Sequence, residues 1–317
     1  MYAICIESSH HRGMGHYYRA LNLAEALQQA GRPYIIYLND HTPSLQNLVE
    51  RGVRHRVVNL LNYTSNWEAS LIMKDGITLW INDRLDTDIH HAENIKKAKI
   101  ALVTFDDRGS GAALADLHIA ALAFDDDEPL QGAKVLRGAE YLILNPEIQL
   151  YTRERKQSGS ILVTLGGSDT YGVTVKVVKL LKEMGLTATV VIGAAFMHTA
   201  TLHEVLTDSF TLKCGVPSMI EEYSYHELAI TGGGITPFEA NASGLPCVVI
   251  ANELFEIPVG NELQRLGGSV FAGYHESLSR PLFSTDLPLE KMSQAGLRNI
   301  GLQGTQHVIG ALMNLIK

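Results

Sequence analysis

His16 is the residue of this chain best placed by its neighbours for proton transfer. It lies in Gly13-Met14-Gly15-His16-Tyr17-Tyr18-Arg19, after an apolar run at 2–6 and a polar loop at 7–15. The glycines open the backbone toward a cleft, and the positive end of a helix dipole favours the neutral ring that accepts a proton. A polar helix start with no task has the same appearance. Two further segments suit an anion. In Ile230-Thr231-Gly232-Gly233-Gly234-Ile235-Thr236-Pro237-Phe238-Glu239 an apolar strand ends in three glycines that let amide N–H groups face a phosphate. Thr236 then reads as the N-cap of a helix, Pro237 as its first residue and Glu239 as the third member of a capping box. Leu165-Gly166-Gly167-Ser168-Asp169 repeats the pattern at the end of the strand at 160–165. Such loops hold diphosphates, and they also join α/β units that bind nothing.

Alternating strands and helices position these residues. The first half reads as strands at 2–6, 34–38, 53–60, 77–81, 100–104 and 116–123, with helices at 16–30, 43–50 and 90–97. Two of its strands end in acids, Asn82-Asp83-Arg84 and Phe105-Asp106-Asp107-Arg108. Open α/β sheets place ligands at the carboxyl ends of their strands, although aspartate there also caps helices. The opening glycines lack the third member of the dinucleotide fingerprint. An acidic connector at 124–138 leads to a second alternation. Its strands are expected at 160–165, 188–192, 211–214, 229–231, 247–251 and 269–272, and its helices at 173–184, 202–206, 219–225, 236–242, 254–266 and 306–316.

The 317 residues, 46% of them hydrophobic, suffice for two α/β domains. A formal charge of -8 offers no basic face for nucleic acid. Cys5, Cys214 and Cys247 form no CxxC pair and read as buried thiols in a reducing compartment, which points to the cytoplasm. No segment has the roughly 20 apolar residues of a membrane span. His10-His11 and His90-His91 lack metal-ligand spacing, so no metal and no cofactor are expected.

Taken together, these motifs resemble the PseG/SpsG-like family, the UDP-sugar hydrolases of the pseudaminic acid pathway and the spore-coat SpsG-like proteins. The family's GxGHxxR segment matches Gly13 to Arg19, its paired aspartates match Asp106-Asp107, and its DxY strand end matches Asp83-Arg84-Leu85, with leucine in place of tyrosine. Gly138 to Leu144 is similar to its linker, and Leu165 to Asp169 to its first glycine loop. The resemblance implies a GT-B fold, two Rossmann-like domains whose parallel sheets face a central cleft. The first would span 1–145 and the second 146–317, with the last helix able to pack back on the first.

By the same resemblance His16 is the general base, with Asp83 beside it as a catalytic residue. Gly13, Gly15, Arg19, Asp106 and Asp107 belong to the sugar and acceptor side. Gly166, Gly167, Ser168, Asp169, Gly233, Gly234, Ile235 and Thr236 serve the diphosphate, Met219 and Ile220 the base, and Glu239 the ribose. Glu256 falls where the family carries a neutral amide, which puts an acid near the sugar. An acid there is expected to face a sugar hydroxyl, an amine or an arginine, or to lie on a solvated helix face. The implied substrate is a nucleotide sugar, UDP-linked and of the deoxyamino class, hydrolysed at its anomeric carbon in polysaccharide or nonulosonic acid synthesis. An inverting glycosyltransferase and a nucleotide-sugar binder without turnover are the alternatives.

Overall fold

The computed structural model describes residues 1–9, 14–122, 125, 129–157, 159–278 and 287–316. They divide into two units. Unit 1 is made of Met1–Ser9, Met14–Ile143 and the stretch from Gln303, and unit 2 runs over Leu144–Leu302. The strands of unit 1 are β1 (Tyr2–Ile6), β2 (Tyr34–Leu38), β3 (His55–Val57), β4 (Leu79–Asp83), β5 (Ala101–Phe105), β6 (Leu117–Ala120) and β7 (Val135–Arg137). They pair in parallel in the order β3-β2-β1-β4-β5-β6-β7. Continuous apolar stretches such as Tyr-Ala-Ile-Cys-Ile in β1 form parallel strands because helices cover both faces of the sheet. Alternate residues feed two cores: Tyr2, Ile4 and Ile6 pack with Tyr17, Leu27 and the C-terminal residues Val308 and Leu312, while Ala3 and Cys5 pack with Trp80, Ile72 and Ile95.

Unit 2 repeats the plan with β8 (Ile161–Thr164), β9 (Ala188–Ile192), β10 (Phe210–Cys214), β11 (Leu228–Gly232), β12 (Cys247–Ala251) and β13 (Ser269–Tyr274), ordered β10-β9-β8-β11-β12-β13. In each sheet the chain winds one way from its first strand and the other way from its fourth. A crevice therefore opens over the carboxyl ends of β1 and β4 in unit 1, and of β8 and β11 in unit 2. These are the strand ends that lead into the acidic and glycine-rich segments.

Besides several helical turns of three to five residues, the helices Trp67–Asp75 and Leu289–Asn299 were not expected from the sequence, nor was β7, which lies inside the stretch read as a connector. The strand expected at 53–60 is only β3, because the chain turns at Leu60 and Leu61, soon after the Val58 amide bonds the Leu38 carbonyl of β2 at 2.8 Å. Cys5 and Cys247 are buried, but Cys214 is exposed, since it ends the edge strand β10. Among the described residues no helix is long and apolar enough to cross a membrane.

Unit 2 is fastened by a buried cation. Arg155 has no exposed surface, and its guanidinium donates to the carbonyls of Arg153 (2.7 Å), Tyr223 (2.9 Å), His226 (3.3 Å) and Ser243. Tyr223, His226 and Ser243 lie at or just beyond the carboxyl ends of the helices Met219–Ser224 and Thr236–Ala242, where unpaired carbonyls and the negative end of the dipole favour a positive charge. Burial pulls Arg155 down to about 10, which leaves it charged at neutral pH. Arg155→Met is therefore expected to lower stability by roughly 3 kcal/mol, because it strands several buried acceptors. Urea unfolding checks this, and an unchanged midpoint would remove Arg155 from the account of the fold.

Candidate functional site

The carboxyl edge of the first sheet carries a buried ionic cluster. The helix Gly15–Gln29 starts just beyond β1 and brings His16 and Arg19 to the end of β4. His16 Nδ1 lies 2.6 Å from Asp83 Oδ1. Arg19 donates through Nε to Asp83 Oδ2 (2.8 Å), through Nη2 to Asp83 Oδ1 (2.5 Å) and through Nη1 to Asp106 Oδ2 (2.5 Å). Its guanidinium also sits 5.2 Å from the centre of the Phe105 ring. Asp106 takes a positive φ of 45° and accepts the Leu122 amide at 2.8 Å on its other oxygen.

Burial alone would raise Asp83, but Arg19, and after it His16, hold its carboxyl at about 2. Burial likewise opposes the charge of Arg19, and Asp83 and Asp106 outweigh it, so Arg19 stays above the usual arginine range. A carboxylate at Nδ1 fixes the tautomer with its proton there and leaves Nε2 as the basic atom. The His16 side chain is 14% exposed and Asp83 is 2% exposed, so the imidazole is the member of the pair open to a ligand. One guanidinium against two carboxylates leaves the cluster with one negative charge beside the imidazole.

His16, Arg19, Asp83 and Asp106 thus come together, and Asp107 does not join them. Its carboxylate accepts the Thr87 amide (3.0 Å), the Thr87 hydroxyl and the Gly109 amide (2.9 Å), while its own amide donates to His118 Nε2 at 3.3 Å. Asp107 braces the loop between β4 and the helix Ile89–Lys97. Gly15 faces open space, whereas Gly13, His10 and His11 lie outside the described residues.

In unit 2 both glycine loops stand at the crevice of the sheet. Gly166 takes a φ of +94°, which favours glycine, and Gly166, Gly167 and Gly234 all face open space. Gly233 is needed for close approach, since a Cβ there would meet Glu256 Cβ at 2.7 Å. Ser168 is half-buried. Asp169 is buried, and its two oxygens accept the amides of Val173 (2.7 Å) and Thr174 (2.8 Å), so it caps the helix Val173–Glu183. Met219 and Ile220 begin the helix Met219–Ser224, whose cap is Ser218, with Ile220 buried and Met219 half-buried.

The capping box expected at Thr236 is absent. Ile235 already has helical geometry and takes the N-cap position without a side-chain bond, so the helix begins one residue earlier than the pattern suggests. Thr236 hydrogen-bonds the phenol of the buried Tyr223 instead, and Glu239 accepts the backbone N–H of Asn145. Burial raises Glu239 to about 7 against that single hydrogen bond. Glu256 pairs with no arginine among the described residues, and it is half-buried rather than spread on a solvated helix face. Its Oε2 accepts the amides of Asn252 (2.7 Å), Glu253 (3.4 Å) and Gly233 (3.4 Å), which ties the segment after β12 to the second glycine loop. Burial raises this carboxyl too.

The sequence did not single out Tyr171, Glu253 or His275. Tyr171 donates to Glu253 Oε1 at 2.9 Å and stacks on His275 at 4.5 Å, so the same segment after β12 is tied to both glycine loops. Only the position of Tyr171 just beyond Asp169 hinted at this. Among the described residues no group of three His, Cys, Asp or Glu is placed to hold a metal.

No family model matches the chain. An uncharacterised protein of Methanocaldococcus jannaschii is 28% identical over 286 residues, 83% of this chain and 56% of that protein, so the chain spans little more than half of that relative. The spore coat polysaccharide biosynthesis protein SpsG of Bacillus subtilis is 25% identical over 274 residues, 78% of this chain and 76% of SpsG. Among solved structures, MurG of Acinetobacter baumannii matches with a TM-score of 0.71 at 14% identity, covering 99% of both chains. HepE of Anabaena in complex with UDP also reaches 0.71, at 13% identity, covering 99% of this chain and 100% of HepE. The architecture is that of the GT-B glycosyltransferases, two Rossmann-like units with parallel sheets.

The ionic cluster makes a signed prediction. The folded value of Asp83 near 2 lies below its ordinary 3.8, so its stabilisation is present above about pH 4 and lost as pH falls through about 2. Asp83→Asn should therefore cost about 2 kcal/mol at neutral pH, with wild type and variant converging toward pH 2. Urea unfolding as a function of pH measures this, and a pH-independent gap would contradict it.

Proposed function

We propose that this chain is an enzyme that cleaves a nucleotide sugar between its anomeric carbon and the diphosphate. The observation that carries the proposal is the His16–Asp83 pair, a buried carboxylate fixing an accessible imidazole at the crevice of unit 1. In the reaction, His16 Nε2 takes the proton of a nucleophilic O–H group, whose oxygen bonds to the anomeric carbon. The bond from that carbon to the phosphate oxygen breaks, and its electron pair leaves with the nucleoside diphosphate.

The nucleotide is assigned to unit 2, where the amides around Gly166–Ser168 and Gly233–Thr236 receive the leaving charge. Glu239 is assigned to the ribose, and Met219 and Ile220 to the base. The complex of HepE with UDP supports UDP as the nucleotide. In the first reading the nucleophile is water and the products are UDP and a free deoxyamino sugar, as the motifs of the sugar hydrolases suggest. The second reading has an acceptor hydroxyl in that place, and it draws support from the likeness to SpsG and to glycosyltransferases of the same fold. Both serve polysaccharide or nonulosonic acid synthesis. Release of free sugar from the UDP conjugate without acceptor identifies hydrolysis, and acceptor-dependent release identifies transfer.

His16→Ala should lower turnover by about 100-fold or more while leaving UDP affinity within about twofold, because the base acts in the transition state and the diphosphate is held by other residues. Steady-state kinetics beside calorimetry checks both halves. Near-normal turnover would remove His16 from the mechanism.

A further inference from the structure

The end of β4 sends two adjacent side chains to opposite faces of the sheet. Asp83 turns toward the helix Gly15–Gln29 and is taken up by His16 and Arg19. The next residue, Arg84, turns toward the face of Cys5 and His91, close enough for its charge to act on the titration of both. Only 3% of Arg84 is exposed, and its Nε and Nη1 are buried without a hydrogen-bond partner. It forms no ion pair among the described residues.

The buried and half-buried carboxylates of the same and adjoining elements are committed elsewhere, and Asp86, two residues along, is exposed. Asp83 and Asp106 serve Arg19, Glu68 accepts His91 Nδ1 (2.7 Å) and Asn94 Nδ2 (3.1 Å), Asp88 caps the helix Ile89–Lys97, and Asp107 holds Thr87 and Gly109. A guanidinium cannot escape burial by losing its proton, and a buried charge without a partner is among the most costly arrangements in a protein. Arg84 lies at the carboxyl end of β4, beside the crevice where an open sheet receives ligands.

We propose that Arg84 anchors an anion subsite in unit 1 that takes a carboxylate or similar small oxyanion carried by the substrate. Asp83 organises the base on one face of the sheet, and Arg84 supplies the planar donors on the other. The two possible carriers are the sugar of the nucleotide conjugate and the acceptor. Assigning the anion to one of them rests on the nucleotide-sugar reading, whereas the subsite itself is tested without nucleotide.

The probes are inorganic sulfate and free glucuronate, titrated into the full chain and into Arg84→Met by calorimetry and thermal unfolding. The wild type should bind both anions saturably and be stabilised by them. Arg84→Met, neutral and of similar length, should bind them at least about tenfold more weakly and, in buffer without added anion, melt no lower than wild type. UDP-glucuronate preferred to UDP-glucose by about tenfold in wild type, with the preference lost in Arg84→Met, places the anion on the sugar. Glucuronate binding on top of saturating UDP, with the two conjugates equal, places it on the acceptor. Should Arg84→Met fail to fold, Arg84→Lys keeps the charge without the planar donors and is expected to show weakened anion binding. Equal anion binding by wild type and the folded variant overturns the subsite. Arg84-dependent anion binding without any UDP binding would sink the nucleotide-sugar reading and leave the subsite standing.

Discussion

The sharing of one guanidinium between two carboxylates holds the candidate site of the first unit together. Arg19 reaches from the first turns of a helix to the ends of two adjacent strands, pairing with Asp83 on β4 and Asp106 just after β5. Three buried charges are costly to bring out of water, and each is recovered only because the geometry supplies bonds to almost every donor and acceptor. The consequence for function is orientation. With Asp83 fixed by Arg19, its Oδ1 meets the imidazole of His16 from one direction, and the histidine has a defined face left for a ligand.

The second unit solves a different problem with the same topology. Its loops at the sheet crevice contain no lysine or arginine between Leu165 and Asp169 or between Gly232 and Glu239, so any anion there is met by backbone amides and helix dipoles. Such a cradle depends on the backbone being held still. Asp169 fixes the first loop to its helix, while Glu256 and Glu253 tie the segment after β12 to the second and first loops. Acids that would repel an anion thus act as braces of the two glycine loops.

Much of this was legible in the sequence, for reasons specific to parallel sheets. Strands covered on both faces read as unbroken apolar runs, and β1, β4, β8, β11 and β12 stand out for that reason. His16 could be placed at a helix start because the glycines and the strand before it mark the boundary. The helix Trp67–Asp75 was hidden because it is short and puts a buried charge, Glu68, where the pattern needs an apolar residue; His91, distant in sequence, makes that tolerable. The helix Leu289–Asn299 buries Leu289, Met292 and Ala295 at helical spacing, a stripe made narrow in the sequence because Ser293 and Gly296 fill the rest of its buried face. The roles of Thr236, Glu239, Asp107 and Glu256 depend on partners such as Tyr223, Asn145, Thr87 and Gly233, and local patterns cannot name a partner so far along the chain.

The central claim is that amides at the crevice of the second unit receive a nucleotide's diphosphate. Amide hydrogen exchange of the full chain, followed residue by residue with and without UDP, tests it most directly. Slowed exchange centred on Gly166–Ser168 and Gly233–Thr236 is the predicted result. Slowing confined to the loops that follow β1 and β4, or none with UDP at saturating concentration, would contradict it.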